Sequence, residues 1–262
     1  MRLPLARRFI LAALSVVAFL ATPVLARDDA PVVAAASDLQ FVLEELAAAF
    51  QAETGQRVRV SMGSTGNFAR QIREGAPFQI FMAADEQFIA DLYRDGFTRD
   101  AGDLYALGRI VVTAPTGSAL VPDGTLASLR DALDQAQLTR FAIANPDHAP
   151  YGMRAREALL HAGLWDDIQP VLVTGENVSQ AAAFALSGNA EGGIIALSLV
   201  LAPQLSARGS YALIPEEFHT PLRQRMALLK NAGPVAEAFY AFLLTPAARE
   251  IMQRYGFALP EG

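Results

Sequence analysis

Residues 32–55 read VVAAASDLQFVLEELAAAFQAETG. The first five residues are small or β-branched, which predicts a buried strand. Residues 38–54 follow as a predicted helix that ends at Gly55, a residue suited to the left-handed turn after a helix. The apolar residues of this helix fall on one face: Leu39, Val42, Leu43, Leu46, Ala47 and Phe50. A buried strand that leads directly into an amphipathic helix is typical of an α/β fold.

The rest of the chain continues this alternation of β-rich and amphipathic segments. Further strands are predicted at residues 58–62, 79–82, 109–114, 140–144, 171–173, 193–196, 211–214 and 223–229. Further helices are predicted at residues 67–74, 86–94, 126–135, 153–162, 179–187, 235–244 and 246–254. The alternation predicts mostly parallel sheets with helices on both faces. The length fits two α/β lobes, with chain crossings near residues 107–109 and 221–225.

Residues 1–26 have the three parts of a cleavable signal peptide. Three arginines within the first eight residues precede an apolar run at residues 9–20, and residues 24–26 (VLA) suit a cut after Ala26. An uncleaved membrane anchor would need about 20 apolar residues, and Pro23 argues against it. We therefore predict export with cleavage near Ala26, while an arginine pair before the apolar run leaves both the Sec and the twin-arginine routes open.

The composition excludes several classes of protein. The chain contains no cysteine, which excludes disulfides, thiolate metal sites and a lipid anchor on a cysteine. The net charge is −6, and removal of the three signal-peptide arginines leaves 18 basic against 27 acidic side chains, a net charge of −9. Nucleic-acid binding needs a basic surface, so we predict no nucleic-acid partner. An anionic ligand would have to be held by local dipoles against this overall negative field.

Open α/β sheets bind ligands where strands end and helices begin, and two such turns near the N-terminus are rich in hydroxyls. Ser37 follows the first strand, while Ser64 and Thr65 lie between two glycines. In each turn, side-chain hydroxyls and the first free N–H groups of the helix could bind one ligand. The alternative interpretation of each turn is an ordinary helix cap.

Two further turns have a similar character. Residues 145–152 read NPDHAPYG and place Tyr151 just before a predicted helix, either as a ligand-binding group or as a tyrosine packed on the lobe surface. Residues 175–179 read GENVS, in which Asn177 is a natural N-cap and Val178 would present a free backbone N–H.

Together the four turns offer hydroxyls, an amide and backbone N–H groups, but neither Lys nor Arg. This composition favours a desolvated anion held by neutral donors and helix dipoles. Catalysis has little support, because His148, His161 and His219 show no zinc-binding pattern and Ser64 lies in no nucleophile-elbow motif. We predict a binding protein without catalytic residues, and an α/β hydrolase is the alternative.

At these turns the sequence resembles the periplasmic molybdate-binding proteins of ABC transporters, which have the type II periplasmic binding protein fold. The matching stretches are residues 34–39 (AAASDL), 63–72 (GSTGNFARQI), 75–78 (GAPF), 84–86 (ADE), 145–152, 245–248 (TPAA) and 254–257 (RYGF). They follow one another in order along nearly the whole mature chain, so the match is much more specific than a single motif.

The resemblance implies two lobes, each a mixed, mostly parallel sheet flanked by helices. Residues 27–108 and 224–262 would form lobe 1, and residues 109–223 would form lobe 2. The lobes would close over molybdate, with tungstate as a second ligand. The monomeric periplasmic protein would then deliver the anion to an inner-membrane ABC permease. Another small oxyanion, such as sulfate or phosphonate, is the alternative ligand. No cofactor is expected, and molybdenum would be present only as the bound oxyanion.

The resemblance also implies the residues that hold the anion. They are the hydroxyl and N–H of Ser37, the hydroxyl pair Ser64 and Thr65, the hydroxyl of Tyr151 and the N–H of Val178. Whether Ser64 or Thr65 is the direct ligand stays open, because family members differ at this turn.

Two positions depart from a simple oxyanion site. Some family members carry a tyrosine ligand where this sequence has Ala196, so we expect Tyr151 to supply that hydroxyl. Asp38 would repel an anion, so we expect its side chain to turn away and to cap the helix. A carboxylate that instead faced the ligand would argue against oxyanion binding.

Overall fold

The computed structural model describes residues 30–260 of the chain. The predicted signal peptide, its arginine pair and its cleavage point near Ala26 lie outside the described residues. Within residues 30–260 the chain forms two five-stranded sheets flanked by helices. None of the helices in this range is long and apolar enough to cross a membrane.

The described elements alternate along the chain. The strands are β1 (Val32–Ala36), β2 (Arg59–Gly63), β3 (Phe78–Ala83), β4 (Asp103–Gly108), β5 (Ile110–Pro115), β6 (Phe141–Ala144), β7 (Leu172–Gly175), β8 (Gly192–Ala196), β9 (Gly209–Leu213) and β10 (Leu222–Leu228). The helices are α1 (Gln40–Thr54), α2 (Thr65–Arg73), α3 (Glu86–Arg94), α4 (Ala127–Asp134), α5 (Pro150–His161), α6 (Trp165–Ile168), α7 (Val178–Leu186), α8 (Leu197–Leu201), α9 (Pro234–Leu243) and α10 (Pro246–Arg254). Short 3-10 turns cover Ser37–Leu39, Gln169–Val171 and Glu216–Phe218.

The two sheets share one topology. The first has the order β2-β1-β3-β10-β4, and the second has the order β7-β6-β8-β5-β9. In each sheet the first three strands are parallel and the remaining pairings are antiparallel. The predicted two-lobed α/β fold is confirmed. Fewer strand pairings are parallel than predicted. Strand β5 enters the second sheet from the first lobe, and β10 enters the first sheet from the second lobe. Each of them runs antiparallel to its neighbours.

The chain crosses between the sheets twice. It leaves the first sheet after Gly108, at the end of β4, and enters it again at Leu222, the start of β10. The boundary predicted after residue 108 falls at the first crossing. The boundary predicted after residue 223 falls inside β10, where Leu222 pairs with Gly108 and Arg223 pairs with Leu107. Strand β10 thus belongs to the first sheet from Leu222 onward.

Helix α1 buries the face that the periodicity predicted. The fully buried side chains of this face are Leu39, in the 3-10 turn before the helix, and Val42, Leu43, Leu46 and Phe50. Phe50 packs on the rings of Phe239 and Phe242 in α9, with centroid distances of 5.1 and 5.6 Å. Burial of one such side chain contributes about 1.5–3 kcal/mol. Gly55 ends the helix with a φ of 72°, in the left-handed region predicted for it. This packing fixes the position of the helix start that follows β1.

Several elements differ from the predictions, among them one unpredicted strand and two helix starts. Strand β4 was not predicted, because its sequence DLYALG combines an acidic start with a terminal glycine. Helix α2 begins at Thr65 rather than at residue 67. Helix α5 begins at Pro150, because a proline in the first turn lacks only an N–H that has no helical partner there. Tyr151 therefore lies in the first turn of a helix and not in the preceding loop.

Candidate functional site

All four turns singled out in the sequence meet at one small cavity between the lobes. The space between the turns, including its opening to solvent, has a volume of about 190 Å³. The lining residues are Ala36, Ser37, Asp38, Gly63, Ser64, Thr65, Ala84, Ala149, Pro150, Tyr151, Asn177 and Val178. The structure thus brings all five predicted site residues together, and it adds Asp38 to them.

The strand order explains why the turns meet. Ser37 and Ser64 follow the neighbouring parallel strands β1 and β2, and the turns before α5 and α7 follow β6 and β7. Neighbouring parallel strands end at the same edge of a sheet, which is where α/β folds bind ligands. The first N–H groups of the helices that begin there have no partner within the helix. The cavity therefore collects the positive ends of several helix dipoles.

The adjacent hydroxyls of Ser64 and Thr65 have different partners. Ser64 Oγ lies 2.7 Å from the carbonyl oxygen of His148, to which it donates, and 2.7 Å from His148 Nδ1 in the other lobe. Thr65 Oγ1 accepts the N–H of Ala84 at 3.1 Å, which leaves its own hydrogen available. Both side chains are buried. Of this pair, Thr65 is therefore the hydroxyl with a hydrogen to offer to a ligand.

Ser37 joins the first turn to α7 of the other lobe. Its Oγ accepts the N–H of Ser179 at 3.3 Å, and its carbonyl oxygen accepts the Ser179 hydroxyl at 2.6 Å. Like Thr65, Ser37 uses its hydroxyl oxygen as an acceptor and keeps its hydrogen. Asn177 caps α7 by accepting the N–H of Gln180, as predicted, so Val178 is the first helical residue and its N–H has no helical partner.

A buried hydrogen-bond network surrounds the carboxyl of Asp38. The Tyr151 hydroxyl donates to Asp38 Oδ2 at 3.0 Å. Gln224 Nε2 donates to the same oxygen at 2.6 Å and to Tyr151 Oη at 3.0 Å. Gln224 Oε1 in turn accepts the Tyr105 hydroxyl at 2.8 Å. The network connects β4 and β10 with α5, so it joins the two lobes beside the chain crossings.

Asp38 does not cap the helix, and this part of the prediction is wrong. Within the described residues, no side chain caps the 3-10 turn at Ser37 or the start of α1. The carboxyl is buried instead, because Gln224 and Tyr151 reach it from other elements. Burial raises the pKa of Asp38 to about 6, although the hydrogen bonds from these two residues oppose the shift. Asp38 Oδ1 is buried without a hydrogen-bond partner among the described residues.

The charge of the cavity comes from Asp38 alone. No Lys, Arg or His is among the residues that line it. Arg154, one turn along α5 from Tyr151, is held by Asp85 at 2.6 Å and by Glu157. Burial raises the pKa of Tyr151 and Tyr105, and the charge of Asp38 raises both further, so both phenols keep their hydrogens. The donors that face the cavity are therefore neutral.

The two lobes are in direct contact at the second and third turns. The N–H of Gly66 donates to the carbonyl oxygen of His148 at 2.9 Å. A Cβ added to Gly66 would lie only 2.6 Å from that oxygen. Asn67 also donates to Glu176 across the cleft. The cleft is therefore closed, and its closure needs a glycine at position 66.

Ser64, His148 and Glu176 form a series that superficially resembles a catalytic triad. His148 Nε2 lies 3.7 Å from Glu176 Oε2, beyond the roughly 2.6–3.2 Å reach of the hydrogen bond that orients a catalytic base. The hydrogen of the Ser64 hydroxyl is directed to a backbone oxygen. Between residues 30 and 260, no group of His, Cys, Asp and Glu side chains could hold a metal ion.

Sequence reasoning missed Gln224, Tyr105 and Gly108. Gln224 is fully buried in β10, and a Cβ on Gly108 would lie 2.4 Å from Tyr151 Oη. A polar residue in a strand reveals its role only through its neighbours, which come from distant segments. Ala196, which replaces the tyrosine of some family members, ends β8 and does not line the cavity.

A two-lobed fold with a closed, hydroxyl-lined cleft is the architecture of a binding protein, and comparison with known proteins agrees. Residues 31–258 match the model of a family described as bacterial extracellular solute-binding protein, and the chain belongs to this family. The prediction that the protein is not an enzyme is thereby confirmed.

Within this family, several similar proteins are molybdate-binding proteins. The chain is 34% identical to the molybdate-binding protein ModA of Rhodobacter capsulatus, over 94% of each chain. Its structure resembles the Azotobacter vinelandii periplasmic molybdate-binding protein with a TM-score of 0.80 and 31% identity, over 88% of this chain and 100% of the other. The resemblance predicted from the motifs is confirmed. The sulfate-binding protein SubI from Mycobacterium tuberculosis shares the fold, with a TM-score of 0.72 and 16% identity over 88% of this chain and 87% of the other.

Proposed function

We propose that this protein binds molybdate between its lobes, with tungstate as a second ligand, and delivers it to the permease of an ABC transporter. One observation carries the proposal: four helix starts rich in hydroxyl and N–H donors, with no cation among them, converge on a cavity of about 190 Å³. The relative from Rhodobacter capsulatus, which is 34% identical over nearly the full length, supports molybdate as the anion.

The proposed ligands are the hydroxyls of Ser37 and Thr65, the N–H of Val178 and the hydroxyl of Tyr151, which would exchange its hydrogen bond to Asp38 for one to the anion. A hydrogen bond to a charged group contributes about 1.5–3 kcal/mol, so several of them offset much of the cost of dehydrating the anion. We assign Thr65 rather than Ser64 to direct contact, because the Ser64 hydrogen is already bound to His148. In this proposal Ser64 holds the lobes together.

Asp38 favours a second candidate, an oxyanion that carries a proton, such as hydrogen phosphate or a phosphonate. Asp38 lines the cavity, and its carboxyl oxygen Oδ1 is buried without a partner among the described residues. An ionised carboxylate would accept a hydrogen from such a ligand and would repel a fully deprotonated dianion. The molybdate-binding relatives weigh against this candidate, and the two candidates predict opposite selectivity.

The site of action follows from the family and from the N-terminal sequence. Members of the family are described as extracellular. We propose that residues 1–26 direct export and are removed near Ala26, that the mature chain works in the periplasm as a monomer, and that it uses no cofactor. The pattern of residues 1–26 supports export.

Titration calorimetry of the mature protein with molybdate, tungstate, sulfate and phosphate tests the ligand. We expect tight binding of molybdate and tungstate, and weak or no binding of sulfate and phosphate. Binding of phosphate without molybdate would support the second candidate, and binding of sulfate alone would also overturn the assignment.

The same titration with site variants tests the cavity. Ser37→Ala and Tyr151→Phe should each weaken molybdate binding by about tenfold or more, since each removes a donor to a charged ligand. Ser187→Ala, which changes an exposed serine at the end of α7, serves as the control. Unchanged affinity in both site variants would place the ligand elsewhere.

A further inference from the structure

We propose that Asp38 is a specificity-determining residue that meets the anion as an uncharged carboxylic acid, so that one proton enters the site with each dianion. This inference rests on the proposed oxyanion function of the cavity.

The charge balance of the closed cleft favours a neutral Asp38. Asp38 lines the cavity and is 1% exposed. A dianion beside an ionised carboxylate would place three negative charges in a space that no Lys, Arg or His lines. Such repulsion is strong in a poorly solvated site. Protonation of the carboxyl removes one of these charges.

The hydrogens available in the network around Asp38 also favour its neutral form. Gln224 donates both of its amide hydrogens, one to Asp38 Oδ2 and one to Tyr151 Oη. If Asp38 is ionised, the Tyr151 hydroxyl hydrogen is taken by the carboxylate. If Asp38 is protonated, the pair has two hydrogens: one joins the two side chains, and the other is free for an oxygen of the anion. The added proton thus converts an acceptor into a donor.

The unpartnered Oδ1 of Asp38 favours a proton on that oxygen. It is buried and makes no hydrogen bond to any described residue, whereas Oδ2 has two donors. A buried carboxylate oxygen without a donor is costly. A proton on this oxygen, directed at the oxyanion, would satisfy both groups.

The groups that face Asp38 come from four other elements and are uncharged. They are Tyr151 of α5, Gln224 of β10, Tyr105 of β4 and, at the backbone oxygen of Asp38, Ser198 of α8 at 2.7 Å. Burial raises the pKa of Asp38 to about 6, and a neighbouring dianion would raise it further. The free protein at pH 8 would then be ionised at Asp38 and the loaded protein protonated.

Proton uptake is measured by titration calorimetry of the unmodified mature protein with molybdate at pH 8, in buffers of different ionisation enthalpy. We expect uptake of about one proton per molybdate and an affinity that falls by up to about tenfold per pH unit between pH 7 and 8.5. Molybdate binding without proton uptake at pH 8 would overturn this inference and leave the proposed function intact. Failure to bind any oxyanion would overturn both.

Two variants identify the group that takes up the proton. Asp38→Asn, which is neutral at every pH, should bind molybdate without proton uptake and at least as tightly as the wild type at pH 8. His148→Asn is the matched control, because His148 is the titratable side chain that contacts Ser64 beside the cavity. Uptake that is lost in His148→Asn and kept in Asp38→Asn would overturn the inference. The measurement on the unmodified protein decides the question even if a variant fails to fold.

Discussion

At the residue scale, side chains of one chemical type have different roles that depend on their existing partners. Ser64 and Thr65 are adjacent and buried, but Ser64 donates to a backbone oxygen of the other lobe, whereas Thr65 accepts from Ala84. The free hydrogen, rather than the presence of a hydroxyl, decides which of them can bind an anion. Ser64 instead contributes to closure.

Substitution of the two hydroxyls should therefore have unequal effects. Thr65→Val should weaken molybdate binding by about 10- to 100-fold, the equivalent of one hydrogen bond to a charged ligand. Ser64→Ala should have a smaller effect, because it removes contacts between the lobes. Thr65→Ser keeps the hydroxyl and should retain affinity. Calorimetry in which Ser64→Ala loses more affinity than Thr65→Val would reverse the assignment.

At the element scale, the starts of the helices act both as donors and as the contact surface between lobes. The first turn of α2 carries Thr65 into the cavity and Gly66 against His148. This contact joins the two lobes across the cleft. The absence of a side chain at Gly66 is therefore a requirement of closure and not of helix formation.

Gly66→Ala should weaken ligand binding without lowering the stability of the fold. The new Cβ would lie 2.6 Å from the His148 carbonyl oxygen and should lower molybdate affinity by about tenfold or more, while alanine is favoured over glycine in a helix by about 1 kcal/mol. We expect an unchanged or higher melting temperature alongside weaker binding. Gly233→Ala is the control, because its Cβ would meet its nearest neighbour at 3.6 Å. Equal affinity of Gly66→Ala and wild type would show that closure tolerates a side chain there.

At the scale of the whole molecule, the buried Asp38 lowers the stability of the unliganded fold as the pH rises. Its folded-state pKa of about 6 lies above the ordinary value of 3.8. The contribution of Asp38 to the free energy of unfolding is therefore largest when the group is neutral, below about pH 4. This contribution is lost as the pH rises from about 4 through 6, and the loss amounts to about 3 kcal/mol. Burial lowers the pKa of His219, so the contribution of His219 to stability increases with pH over part of this range.

A comparison with Asp38→Asn isolates this contribution. The unliganded variant should melt at a temperature that exceeds that of the wild type by an amount that grows from pH 4 to about pH 7, reaching several degrees. Thermal unfolding of both proteins in matched buffers measures the difference. A difference that stays constant over this pH range would mean that Asp38 keeps one protonation state in the free protein.

The features that the sequence predicted are those determined by nearby residues. Helix α1, its end at Gly55 and the cap at Asn177 depend on spacing within a few residues, and the strand-helix order placed the four turns at one edge of each sheet. The network around Asp38 could not be predicted, because Gln224 lies 186 positions away in the sequence. The difference between Ser64 and Thr65 likewise depends on His148, in the other lobe.

The shared topology of the two sheets bears on the shape of the proposed ligand. Strands β1 and β2 of one lobe correspond to β6 and β7 of the other, so the turns after them form two corresponding pairs around one cavity. The proposed ligands divide in the same way, since Ser37 and Thr65 follow β1 and β2, and Tyr151 and Val178 follow β6 and β7. An axis between the lobes would relate the two pairs. A tetrahedral ion centred on that axis directs two of its oxygens towards each lobe, whereas a trigonal planar ion cannot divide three oxygens equally. In the proposed complex each lobe would therefore supply half of the groups that hold a tetrahedral anion.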